Sequence, residues 1–283
     1  MLNENFLKEE NISGYLVSKE MKEVWACELD MLERLLAVCL KYDLKCWADS
    51  GTLIGAVRHK GFIPWDDDID MVMFRDDYDK LVKVADKEFT YPYFFQTIYS
   101  DEYYGNRHAQ IRNSETAAIA NPKSRFNQGV FIDIFVLDGV PDVPRTLQKH
   151  LRKVKVYKQL LKSVSKLISH FPKTLYRKCR WDKMLYARYE EVLRSAPVSE
   201  TELVSTLSLN YKTRIKNRSC YDRTEYMDFE NLKIPVPSGY DQILKIDFGD
   251  YMTPVHQPTL HGKLHFDTKR SYKEVLNLSL IHI

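Results

Sequence analysis

Four aspartates fall within five positions of the stretch FIPWDDDIDMVMF, residues 62–74, after which the chain turns apolar. Like charges crowded at the mouth of an apolar run repel one another and lose hydration, so such a stretch is stable only where something offsets the charge. The residues from Asp68 onward read as a buried strand. On a strand, side chains two apart share a face, which aims Asp68 and Asp70 at one spot and turns Ile69, Met71 and Met73 the other way. Keeping both carboxylates ionised at that separation calls for a cation between them. Oxygen-only donors select a hard ion, Mg²⁺ or Mn²⁺, of the kind that also binds substrate phosphates. Asp66 and Asp67, just after Pro64 and Trp65, read as solvated at the loop end, with Asp66 and Asp68 the alternative pair. The bland reading of the whole cluster is an acidic loop-to-strand junction at the surface.

A third acid strengthens the metal reading. Asp133 interrupts the apolar run VFIDIFVLD, and a carboxylate embedded there needs a cation, backbone donors or an arginine. If its strand lies beside that of Asp68 and Asp70, three acids converge, an arrangement able to hold metal ions for phosphoryl transfer. Upstream, WADSGTLIGAVRHKG supplies groups suited to an anionic ligand. Gly51 and Gly55 permit close backbone approach, and Ser50 or Thr52 can cap a helix whose amide end attracts phosphate. Arg58, His59 and Lys60 add cationic donors. Arg112, in QIRN, either binds a diphosphate or neutralises one of the acids.

Charge is unevenly spread. From Arg145 to Arg194 the chain holds fifteen Lys or Arg against three Asp or Glu, a balance of +12, and with a net charge of +3 the remainder carries −9. The stretch RTLQKHLRKVKVYKQLLKSVSKLISHF repeats apolar residues at helical spacing with lysines between, and reads as a basic amphipathic helix. It is either a solvated insert covering the core or a cationic face for an anionic membrane or a phosphate-rich acceptor. Interleaved aromatics and a spaced binding motif are missing, which argues against nucleic acid. The five cysteines are scattered, odd in number and never in a C-x-x-C pair, so neither a disulfide framework nor a zinc knuckle is expected. No window approaches the apolar length of a membrane span, and the N-terminal stretch has no apolar core of an export signal.

Periodicity predicts a helix over residues 18–42, a short strand at KCWADSG, and a brief helix and loop up to Trp65. After the aspartate strand, helical spacing resumes at RDDYDKLVKVADKEF, and strands follow at YFFQTIYS, RHAQIRN and GVFIDIFVLDGV. The later half is expected to be mainly helical. Ser238 is read as an N-cap with Asp241 in the first turn of a helix that Gly249 stops.

The blocks DSGTLIGAVRHKGFIPWDDDIDMVM, QIRNSET, GVFIDIFVLD and IPVPSGYDQILKIDFGDYM, spanning roughly residues 45–255, occur in the order of the LicD/fukutin-related family and resemble it. That family is similar to enzymes of the nucleotidyltransferase fold. The resemblance implies an α+β fold, a nucleotidyltransferase-like mixed sheet flanked by helices, with a mainly helical basic insert and a C-terminal part. Residues 1–143 would form the catalytic core with its N-terminal helix, 144–200 the insert, and 201–283 the part completing the catalytic domain. It also implies an enzyme that moves a phospho-substituent, such as phosphocholine or phosphoribitol, from a CDP-activated donor to a glycan hydroxyl. In this sequence the family's roles fall on Gly51 and Thr52 for phosphate, on Asp68 and Asp70 for metal, and on Asp133 as the third acid, with Arg58 and Arg112 supporting the donor's charge. Asp133 would complete the metal shell or accept the acceptor's proton.

Three departures stand out. Phe248 replaces the tyrosine common in the family's Tyr-Gly-Asp-Tyr, His256, His261 and His265 have no assigned role, and the cysteine cluster of some animal relatives has no counterpart. The acceptor is expected on a capsule, lipopolysaccharide or teichoic acid, lipid-linked or free. The protein is expected in the cytoplasm, peripheral on the inner membrane face through its basic segment. A choline substituent would need an aromatic or acidic box, for which Trp47, Trp65, Tyr103, Tyr104 and Tyr240 are candidates. Two rival readings are a metal-dependent phosphohydrolase or nuclease, and a non-catalytic protein that docks on a membrane or partner.

Overall fold

The computed structural model describes residues 4–168, 171, 175, 180–208, 214–256 and 264–281. Two short strands, β1 (Glu10–Ile12) and β2 (Tyr15–Val17), form a hairpin before the long helix α1 (Lys19–Lys41). Ser18 caps α1, its hydroxyl oxygen accepting from the amide of Met21 at 3.2 Å. Val24, Trp25, Leu29, Leu32 and Leu35 recur at helical spacing and are buried, each such side chain stabilising the fold by about 1.5–3 kcal/mol. β3 (Trp47–Ala48) leads into α2 (Ser50–Arg58), then β4 (Asp70–Phe74), α3 (Arg75–Glu88), β5 (Tyr93–Gln96), β6 (Ala109–Asn113) and β7 (Ala117–Ile119).

The central element is β8 (Val130–Val140), buried along all eleven residues. β4 lies parallel beside it, while β6 pairs antiparallel with its first half. A parallel neighbour needs a crossover, which α3, β5 and β6 provide. After β8 come α4 (Pro144–Ile168) and α5 (Trp181–Arg194), which pack on each other over Val140, Val154, Tyr186, Tyr189 and Leu207. β9 (Leu203–Ser205) then returns to the far end of β8, and β10 (Ile215–Asn217) pairs with β9. Among the described residues the result is a seven-stranded mixed sheet with helices against it.

The later half is less helical than expected. After residue 200 it adds β9 and β10, the hairpin β11 (Thr224–Phe229) and β12 (Leu232–Pro237), and β13 (His265–Asp267), beside α6 (Tyr240–Phe248) and α7 (Tyr272–Ile281). β9, β10 and β13 are three residues each, too short to show a period of two, and β12 is buried from Ile234 to Pro237 without alternation. Gly249 ends α6 at φ +68°, as read from the sequence, but the cap is corrected: Gly239 holds that position, and the amide of Ser238 instead donates to the carbonyl of Arg223. Cys27, Cys39, Cys46 and Cys220 are free, and Cys179 lies outside the described residues.

Candidate active site

Strand register builds the site. Asp70 on β4 stands opposite Asp133 on β8, and Gln110 on β6 stands opposite the same Asp133 from the other edge. In-register neighbours project to one side of a sheet, so three polar side chains from three strands meet. Asp68 lies just before β4, where the ladder already continues: the amide of Asp133 donates to the carbonyl of Ile69 at 2.8 Å. Carboxylate oxygens of Asp68, Asp70 and Asp133 lie within 4.8 Å of one another. The same holds for Asp66, Asp67 and Asp68, so Asp68 is shared by both groups. The expectation that Asp66 and Asp67 are solvated is corrected. Asp67 is buried and Asp66 half-buried, because the indole of Trp25 donates to the carbonyl of Asp66 at 3.0 Å and pins the loop against α1.

Asp66, Asp68, Asp70 and Asp133 form the floor of a cavity of about 450 Å³, within the size range of small-molecule sites. Ser50 and Gly51 line it at the N-terminus of α2, Arg58 at its C-terminus. Ser50 sits at φ +47°, a left-handed conformation uncommon for a side-chain-bearing residue, and the Arg214 guanidinium reaches its hydroxyl oxygen at 3.3 Å. Gly51 stands so close to Asp66 that a methyl group on its Cα would overlap the Asp66 carboxylate. Ile54, Ile63, Trp65, Phe135 and Phe248 give the walls an apolar character.

Two expected phosphate ligands are elsewhere. Thr52 is buried, and its hydroxyl oxygen accepts from the amide of Asp70 at 2.8 Å, tying α2 to the start of β4 instead of lining the cavity. Arg112 is corrected too. It shares a face of β6 with Gln110 but lies two residues deeper, packed over Phe131, where its guanidinium donates to the side-chain oxygens of Gln96 and Gln110 and to the carbonyl of Gly129. Gln110 in turn donates to Asp133 Oδ1 at 2.7 Å, so Arg112 orients Asp133 through an amide instead of meeting a ligand. Of the cationic trio, Arg58 alone lines the cavity; it donates to the carbonyl of Tyr251 at 2.7 Å. Lys60 occupies a left-handed turn whose carbonyl accepts from the amide of Glu230.

Other residues stand at or near the site. His108 places Nε2 3.2 Å from Asp133 Oδ1 and packs on Phe135. Lys216, fully buried, lies 2.7 Å from Asp247 and 3.7 Å from Asp49, the residue just before α2. Asp250 and Tyr251 line the cavity, whereas Tyr240 does not. Glu28 has the clearest signal in hindsight: it stands among Val24, Trp25, Leu29 and Leu32 on the apolar stripe of α1. Burial, followed by the charges of Asp67, Asp66, Asp133 and Asp70, holds its carboxyl well above the usual range. Of the five aromatics considered for a choline box, Trp65 lines the cavity; the Trp47 indole is buried and donates to Thr224. His256 packs against Trp65 and Tyr15, His265 lies on β13, and His261 is outside the described residues.

The donor set fits a divalent cation. It is made of carboxylate oxygens alone, and burial together with the neighbouring Asp70, Asp66 and Asp133 holds Asp68 well above the usual carboxylate range, the strain that a hard cation relieves.

An acid-x-acid strand end with a third acid in register thus shares one cavity with a glycine turn at a helix N-terminus. Residues 43–168 match the family described as LicD/FKTN/FKRP, nucleotidyltransferase domain. The match takes in the whole of α4. Over 236 residues the chain is 29% identical to the lipopolysaccharide cholinephosphotransferase LicD of Haemophilus influenzae, covering 79% of this chain and 88% of that protein. It is 30% identical over 137 residues to an uncharacterised protein of Rickettsia prowazekii, covering 48% of this chain and 47% of the relative.

Proposed function

We propose that this chain is a phosphotransferase that moves phosphocholine, or a similar substituted phosphate, from a CDP-activated donor to a hydroxyl of a cell-surface glycan. The observation that carries this reading is the meeting of Asp68, Asp70 and Asp133 at the floor of a cavity whose rim holds Arg58 and Arg214. Asp68, Asp70 and Asp133 would hold Mg²⁺ or Mn²⁺, which when bound supplies positive charge against the donor's diphosphate. Arg58 and the Ser50–Gly51 turn then steady the phosphates, and Arg214 adds a second cation. The acceptor oxygen bonds to the phosphorus farther from the nucleoside, the bond from that phosphorus to the bridging oxygen breaks, and CMP leaves. Asp133, held by Gln110 and flanked by His108, completes the metal shell or takes the hydroxyl proton. Trp65, next to Asp66, offers a face and a negative charge for a quaternary ammonium group.

The relative's printed substrate, lipopolysaccharide, is the first acceptor to try, with capsule and teichoic acid glycans beside it. A peripheral contact with the membrane through the basic helical segment belongs to the same reading. The deciding experiment incubates the protein with Mg²⁺ and CDP-choline, with and without glycan. CMP released only when glycan is present supports transfer. CMP and phosphocholine released without it identify a hydrolase, and the absence of Mg²⁺-dependent nucleotide binding by calorimetry identifies a non-catalytic protein. A Gly51→Ala variant is expected to displace Asp66 and slow transfer roughly 100-fold, with its melting temperature little changed. Parallel kinetics and thermal melting check that outcome.

A further inference from the structure

The outward face of α4 does not look like the solvated side of an ordinary helix. Its inner side, with His150, Val154, Leu161 and Ile168, is buried against α5 and the sheet. On the opposite side Val156, Leu160 and Leu167 follow one another at spacings of four and seven, on a single stripe, and are 46%, 46% and 54% exposed. Trp181 and Met184, one turn apart on α5, are 48% and 64% exposed. Basic residues stand on and around the α4 stripe: Lys149, Arg152, Lys153, Lys155, Lys162 and Lys166 are all exposed, and residues 144–168 contain no Asp or Glu. A helix with two apolar sides, one turned outward among uniformly cationic residues, suits the boundary between water and an anionic bilayer. There the leucines enter the acyl region and the lysines reach the headgroups.

We infer that the outer face of the α4–α5 pair docks this protein on an anionic lipid surface. A second copy of the chain is disfavoured as occupant, because two helices each carrying seven exposed Lys or Arg and no acid along α4 would repel. A polyphosphate chain would use the lysines but not the leucines. The pair is braced against the cavity rim. The Tyr186 hydroxyl donates to the carbonyl of Arg107 at 3.3 Å, between cavity-lining Asn106 and His108, and Lys183 donates to the carbonyl of Tyr99 at 3.1 Å. Docking therefore sets the cavity at a fixed place relative to the bilayer. The inference rests on the transferase reading only for its purpose, which is to bring a lipid-linked glycan within reach.

Sedimentation of the full chain with vesicles tests it. The protein is expected to bind phosphatidylcholine vesicles containing phosphatidylglycerol, to leave them at high salt, and to ignore phosphatidylcholine alone. Leu160→Glu with Leu167→Glu should weaken binding about tenfold or more. Leu40→Glu, at the 86% exposed end of α1, should not. Leu160→Ser with Leu167→Ser serves if the double glutamate variant melts early. Failure of the unmodified protein to bind anionic vesicles overturns the inference. So does unchanged binding by both Leu variants, or an oligomer that falls apart when they are introduced. Asp70→Asn is expected to sediment as the unmodified protein does, so loss of vesicle binding and loss of transfer are separate results.

Discussion

Asp70→Asn protein is expected to fold normally and to lose transfer on the order of 10³-fold or more, with CMP release from the donor as the measurement. Asn keeps the shape of Asp but removes one of the three charges that meet at the cavity floor, and with it the affinity for a divalent ion. The effect on the metal-free protein runs the other way. Asp68 is held high by burial and by Asp70, Asp66 and Asp133, so the folded state retains a proton that the unfolded chain releases. For an acid raised in this way, stability is highest below its unfolded value, near 3.8, and declines as pH rises toward the folded value. Metal-free protein should therefore gain stability from this group as pH falls from neutrality toward 4. Added Mg²⁺ should raise the melting temperature more at pH 8 than at pH 5, because the ion replaces the proton. In Asp70→Asn the Mg²⁺ effect should vanish. A variant with near-normal turnover would remove Asp70 from the chemistry.

Asp138→Ala is expected to destabilise the protein by about 3 kcal/mol in urea unfolding. Asp138, near the far end of β8, takes a two-point bond from Arg75 at the start of α3, at 2.7 and 3.0 Å, with both side chains buried. Removing the carboxylate leaves a guanidinium in the interior, and the remaining acids near it, Glu190 at 3.5 Å and Asp79 at 3.9 Å, are farther away. Their presence sets the expectation at the lower end of the cost of breaking a buried pair. Replacing both partners, as Arg75→Met with Asp138→Leu, should recover much of the loss, since the buried guanidinium is gone and Glu190 keeps Arg194 at 3.5 Å and the Tyr99 hydroxyl at 2.8 Å. If the double variant is no better than the single one, the loss reflects packing instead of charge.

The parts legible in the sequence are those set by local pattern. The apolar period of α1, the aspartate run before β4 and the buried acid of β8 each say what their segment does, and each is observed. The meeting of Asp133 with Asp70 was legible only as a condition, because it depends on β4 and β8 lying side by side in one register. What no local pattern gives is the direction of a side chain after the strands are assembled. Arg112 looked like a ligand for phosphate, yet its place two residues deeper on β6 turns it into the support of Gln110. Thr52 sits in the expected turn but faces the strand. His108 and Arg214 reach the site from distant segments with ordinary surroundings in sequence, and only the three-dimensional arrangement reveals them.

β8 carries cavity-lining Asp133 near its start and, seven residues on, ends where the chain leaves for α4. At about 3.3 Å per residue that separates the two by roughly 23 Å along a strand with no exposed position at which to bend. The aspartates and the root of the helical pair thus move as one rigid unit. On the proposed transferase reading, a lipid-linked glycan would reach Asp133 through the length and flexibility of its own tether.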